Sequence, residues 1–180
     1  MTNVFDVAER VLARYGSASA IKLQKLTYYS QAWHLVAKGE PLFPEPIIAY
    51  QYGPLCTSLW EQHRGQKMVR AGEFSALVDG NISEASGAVI DAVLDTYGSM
   101  SMTALVDRTH TETPWKAAQS SGSEITPESM RLYYSLELSS GRLAPQLELE
   151  VATLDKSVTV EFDNQPDDYS GFLRALSREK

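Results

Sequence analysis

The chain has 180 residues, 43% hydrophobic, 22% charged and 9% aromatic, with a formal net charge of −7 and a pI near 5.0. A chain of this size buries enough surface to fold without a metal or disulfide staple, and its single cysteine, Cys56, has no partner for an internal disulfide. Acidic residues outnumber the dispersed basic ones, so nucleic acid is not expected as a partner, because phosphate binding draws on clustered Lys and Arg.

In chain order, Asn3 or Thr2 caps a first helix running to about Arg14, with Val4, Val7, Ala8, Val11 and Leu12 on one face. The opening MTNVFDVAERVLARYG lacks a basic-then-apolar secretory pattern, and no apolar run reaches the ~20 residues that span a bilayer. A cytoplasmic protein with no membrane partner is expected. A longer second helix is predicted from about Ala20 to Ala37, stopped by Gly39. Leu23, Leu26, Ser30, Trp33 and Ala37 form a stripe that Ile21, Tyr28, Tyr29 and Leu35 widen, which marks a central helix packed on several sides.

Prolines break EPLFPEPIIAYQYGP, and Ile47 to Gln51 reads as a short extended piece. Pro54 suits the first turn of a helix over Leu55 to Arg64. Gly65 to Asn81 reads as loop with a partial helix. Ser83 opens a clearer helix ended by Gly98, and Ser101 caps another that Thr109 and His110 finish, where the imidazole either bonds the last carbonyls or makes a polar contact on a partner-facing surface. Trp115 then fills the core, and a helix from about Thr126 to Leu138 starts with Pro127. Beyond Gly141, LELEVATLDKSVTVEF alternates apolar and polar residues and predicts a β-hairpin, followed by a terminal helix with Tyr169, Phe172, Leu173 and Leu176. The expected fold is therefore mainly α: a compact all-helical domain over 1–140, then a hairpin-plus-helix appendage over 141–180.

An enzyme would have to use Cys56, His34, His63 or His110. A thiol near a helix start can gain acidity, with His110 as its base, but no spacing requires the two to meet. A cysteine between Leu55 and Leu59 is more simply a small buried hydrophobe. His-x3-His and Cys-x2-Cys metal spacings, phosphate loops, dinucleotide-binding glycines and the Gly-x-Ser-x-Gly elbow do not occur. No catalytic residue, cofactor or metal is assigned.

Three strings carry a resemblance. KLQKLTYYSQAWHLVAKGEPLF (Lys22 to Phe43), AYQYGPLCTSLW (Ala49 to Trp60) and YGSMSMTALVDRTHTETPWKAA (Tyr97 to Ala118) resemble, in order and spacing, the signature of the SocA-like antitoxins of the Panacea-domain family. By position the signature residues are Lys22, Gln24, Lys25, Tyr28, Tyr29, Gln31, Tyr52, Gly53, Pro54, Thr109, His110, Glu112, Pro114 and Trp115. Thr27 departs mildly from an aliphatic position, and Cys56 falls where the pattern carries no cysteine.

The resemblance implies a helical antitoxin, not an enzyme, that neutralises a cognate protein toxin by direct binding. The founding member adds a second implied partner, an energy-dependent protease to which the toxin is delivered. The rival readings are a small cytosolic enzyme using His110 and a transcriptional regulator. Against the regulator, there is no helix-turn-helix with a basic recognition helix. The acidic, alternating C-terminal segment lies outside the shared pattern, so Glu148, Glu150, Val158, Val160, Phe162, Tyr169 and Phe172 are the candidate toxin contacts.

Overall fold

A computed structural model describes residues 2–147. Helix α1 (Val4–Tyr15) begins at a capping box, in which the Asn3 side chain accepts from the Phe5 and Asp6 amides while Asp6 accepts from the Asn3 amide. Strand β1 (Ser17–Ser19) leads into α2 (Ala20–Lys38), where the Ser19 hydroxyl accepts from the Lys22 amide and Gly39 closes the helix in the left-handed conformation. Strands β2 (Ile47–Tyr50) and β3 (Gly53–Cys56) form a hairpin, followed by α3 (Thr57–His63) and β4 (Met68–Arg70). Helices α4 (Glu84–Tyr97), α5 (Met102–Thr111), α6 (Thr113–Ser121) and α7 (Pro127–Ser139) complete the order.

Helix α2 is the axis of the fold. It packs against α1, α4, α5, α7 and β3, and every residue from Leu23 to Leu35 is buried. A helix enclosed all round needs apolar residues on every side, and its polar residues need partners in neighbouring elements. Trp33 shows both: its ring is fully buried and its indole nitrogen donates to the Tyr97 hydroxyl of α4 at 3.1 Å.

The predicted helices α1, α2, α4, α5 and α7 stand close to their expected limits, since a side chain at each start accepts from a first-turn amide. The intervening segments differ in three ways. First, the domain is not all-helical, because β1 pairs antiparallel with β4 and β2 with β3. Second, Pro54 does not start a helix; it lies in β3 opposite Ala49, and α3 begins only at Thr57. The Cys56 amide and carbonyl both face the Gln24 side chain, away from β2, and by alternation the Pro54 nitrogen faces the same way. The missing N–H therefore costs the ladder nothing.

Third, the partial helix expected within 65–81 is absent. Strand β4 and a series of turns replace it, held to α1 by Glu9, whose carboxylate accepts from the Gly72 and Phe74 amides, and by Asp6, which accepts from the Gly80 amide.

After α7 the chain returns to the helical body. Leu143 accepts hydrogen bonds from the Tyr97 hydroxyl and from Arg108, and Ala144 and Leu147 pack on the core. The predicted C-terminal hairpin and terminal helix, with Glu148, Glu150, Val158, Val160, Phe162, Tyr169 and Phe172, lie outside the described residues. Among the described residues no helix is long and apolar enough to cross a membrane.

Candidate functional site

The signature residues of α2 act as struts. Gln24 Oε1 accepts from the Cys56 amide at 2.9 Å, while its Nε2 reaches the Cys56 carbonyl at 3.3 Å and His63 Nε2 at 3.0 Å. Because Gln24 Nε2 only donates, His63 Nε2 must accept, so the ring is neutral with its proton on Nδ1. Desolvation lowers the His63 pKa, in the same direction. Gln31 braces the next loop in the same way, accepting from the Leu42 and Phe43 amides and donating to the Phe43 carbonyl. Lys22 caps the end of α4, its Nζ donating to Gly98 and Met100 carbonyls at 2.6 and 3.0 Å.

Lys25 sits beneath the hairpin. Only 2% of it is exposed, and Nζ donates to the Pro54 carbonyl at 2.7 Å. Burial pushes its pKa down to about 7. Gly53 lies directly over it with φ +94°, and a Cβ there would stand 2.6 Å from Thr109 Oγ1 and 2.7 Å from Lys25 Cε. Lys25, Gly53, Pro54 and Thr109 thus form one tight joint fixing the hairpin to α2 and α5.

A second buried cluster centres on Glu112, between α5 and α6. Its carboxyl accepts from the Tyr29 hydroxyl at 3.1 Å and the Tyr134 hydroxyl at 2.6 Å, and Tyr134 lies 3.3 Å from the Tyr28 hydroxyl. Arg108 Nε is 3.4 Å from Glu112 Oε1, near enough for charge attraction though misaligned for a hydrogen bond. Desolvation outweighs the hydrogen bonds from Tyr134 and Tyr29 and the Arg108 charge, and pushes the Glu112 pKa up to about 7. Tyr29 also stacks on Tyr97, with ring centroids 4.3 Å apart.

These joints hold an aromatic rim in solvent. Tyr50 and Tyr52, flanking the hairpin turn, are 49% and 53% exposed. Trp115 packs against the core but fills it only in part. It is half-buried, stacks on His110 at 4.1 Å and donates from its indole nitrogen to the Tyr50 carbonyl at 3.1 Å, so the N–H finds its acceptor at the rim. His110 bonds no helix-end carbonyl, and its Nε2 has no hydrogen-bond partner among the described residues. Beside the hairpin runs a groove of about 240 Å³, lined among others by Ile21, Lys25, Tyr52, Leu55, Trp60 and His63.

The candidate nucleophile fares differently. Cys56 is buried, and desolvation pushes its thiol up to about 11, away from the thiolate that catalysis needs. His34 is taken up in structural contacts, with Nδ1 at 2.9 Å from the Glu40 carbonyl and Nε2 at 3.0 Å from Ser86 Oγ.

The model of the family described as "Antitoxin SocA-like, Panacea domain" matches residues 23–116. The chain belongs to that family. Neither a curated protein nor a solved structure matches it. The matched stretch of this Panacea protein runs from Leu23 in α2 to the start of α6, hence takes in Gln24, Gln31, the Lys25 joint, the hairpin and Glu112 but not Lys22. Tyr134, which makes the shortest bond to Glu112, lies beyond it, and nothing in the local sequence of α7 marks that tyrosine as the partner of a carboxyl 22 residues earlier.

Proposed function

We propose that this Panacea-domain chain is an antitoxin that neutralises a cognate protein toxin by direct binding, through the aromatic rim around the β2–β3 hairpin. The observation that carries this reading is the exposure of Tyr50 and Tyr52 on a hairpin that four buried signature residues hold rigid. Tyrosine and tryptophan are the side chains that most often anchor interfaces, and a pre-organised loop loses less entropy on binding. Trp115 and His110 extend the same face. The neutral His63, the high-pKa Cys56 thiol and the family membership all favour binding over catalysis.

In this reading Gln24, Gln31, Thr109 and Glu112 support the surface and do not themselves touch the toxin, whereas Lys25 also lines the groove beside the hairpin. The helical body extends past Ser140 to at least Leu147, and the segment after it, with Glu148, Glu150, Val158, Val160, Phe162, Tyr169 and Phe172, adds specificity for one toxin. Co-expression with the toxin of the neighbouring reading frame tests both parts. A Tyr50→Ala/Tyr52→Ala protein with an unchanged circular dichroism spectrum is expected to lose rescue of growth; full rescue sinks the rim assignment. A chain truncated after Leu147, which keeps the Tyr97–Leu143 bond, is expected to stay folded and lose rescue. If it rescues fully, the C-terminal segment has no part in specificity. Repeating the assay with only the two purified proteins separates occlusion from delivery to a protease.

A further inference from the structure

We infer that the groove beside the hairpin binds the C-terminal carboxylate of a partner polypeptide whose last side chain is apolar. This deepens the proposed rim function and rests on it, because it names what the partner inserts there. Three observations on the groove converge.

The first is its charge. The chain carries 23 acidic and 16 basic residues, yet among the described residues the groove lining contains no carboxylate, and Lys25 is its only lysine or arginine. The second is the state of Lys25. Of three ammonium protons one has an acceptor, the Pro54 carbonyl, and no carboxylate lies within ion-pair distance among the described residues. A buried cation without a counter-charge is costly, and desolvation alone drives its pKa down. An incoming carboxylate supplies the missing charge in a place of low dielectric, where such a pair counts for more than at the surface.

The third observation is that the other polar groups at depth are already committed. Both ends of the Gln24 amide are engaged, and His63 is held neutral by it. The charge of the ligand must therefore meet Lys25, while its body meets Ile21, Leu55, Trp60 and Tyr52. A terminal residue carries its carboxylate and an apolar side chain on one α-carbon, which matches a cation and apolar walls within about 240 Å³. At the rim, the Arg64 guanidinium lies over the Trp60 ring at 4.9 Å, and Gln66 donates to the Glu73 carboxylate at 2.9 Å.

The test is a titration of the purified full-length chain with N-acetyl-Ala-Leu-Phe ending in a free carboxylate, with the same peptide ending in an amide, and with N-acetyl-Glu-Leu-Phe-amide, followed by calorimetry and by the NMR shifts of the Trp60 indole. The carboxylate peptide is expected to bind roughly tenfold or more tightly than either amide, and to move the Trp60 signal. Equal binding of the first pair, or no binding of any peptide at millimolar concentration, overturns the inference. Tighter binding of the glutamate peptide overturns the choice of a chain terminus.

Lys25→Met is expected to abolish the carboxylate preference; a preference kept in that variant also overturns the inference. Should Lys25→Met not fold, Ile21→Glu serves in its place: an acid in the groove wall is expected to abolish binding of the carboxylate peptide, and undiminished binding counts against the assignment. Because the readout is peptide binding, its failure leaves the rescue phenotype of the Tyr50 and Tyr52 variants to judge the broader function separately.

Discussion

Lys25 and Glu112 are both buried ionisable groups, but their pH responses run in opposite directions. The folded pKa of Glu112 is raised from 4.5 to about 7, so between those values the folded chain holds a proton that the unfolded chain has released. Its stabilising contribution is complete below about 4.5 and is lost as pH rises to 7. The folded pKa of Lys25 is lowered from 10.5 to about 7, so over that interval the unfolded chain holds the extra proton. Its contribution is complete above about 10.5 and is lost as pH falls to 7. Both therefore leave the fold weakest near neutrality, each by up to a few kcal/mol at ~1.4 kcal/mol per pH unit. Urea melts of wild type against Glu112→Gln are expected to show the acid-side slope flattened in the variant, and those against Lys25→Met the alkaline-side slope. Parallel wild-type and variant profiles would contradict this account.

Thr27 is a smaller case of the same kind. Its hydroxyl is buried in α2 with no hydrogen-bond partner among the described residues. Thr27→Val keeps the shape and removes the orphaned polar atom, and is expected to raise stability by about 1 kcal/mol. A drop in the denaturation midpoint would show that the hydroxyl has a partner after all.

Among the elements, the hairpin was the hardest to read in the sequence. The starts of α1, α4, α5 and α7 are set within a few residues of themselves by Asn3, Ser83, Ser101 and Thr126, and local patterns reveal them. Strand β3 is held instead by Gln24 and Lys25, about 30 residues away, and no local pattern records that bond. The same gap hid β4, whose partner β1 lies fifty residues upstream. Gly53→Ala tests the joint directly. Its positive φ and its contacts with Thr109 and Lys25 make any Cβ both strained and overpacked, so a loss of about 2–4 kcal/mol is expected. A substitution that leaves the melting curve unmoved would mean the joint is looser than its distances indicate.

For the whole molecule, the sequence revealed the family and the central helix but not what the signature residues do. Lys25, Gln24, Gln31 and Glu112 look in sequence like surface polar groups, and only the enclosure of α2 turns them inward. The exposed pair Tyr50 and Tyr52 was hidden for the converse reason, since aromatics are read as core by default. The family match omits α1 and α7, yet both cover α2, and Tyr134 of α7 completes the Glu112 cluster. A fragment of residues 23–116 is therefore expected to be unfolded by circular dichroism and amide exchange, and 1–147 to be folded. A cooperative transition in the shorter fragment would show that the signature region closes its own core.

The central place of α2 also bears on synthesis. Its residues leave the ribosome early, but α4, α5 and α7, which enclose it, follow much later. Chains grow at ~5–20 residues per second, and domains usually close as units. Until Ser139 has emerged, the rings of Tyr28, Tyr29 and Trp33 have no complete shelter. The nascent chain thus carries an adhesive helix for most of its translation and gains its folded surface only near the end, so ribosome stalling before Pro127 yields a product that is degraded or aggregates instead of a partial domain.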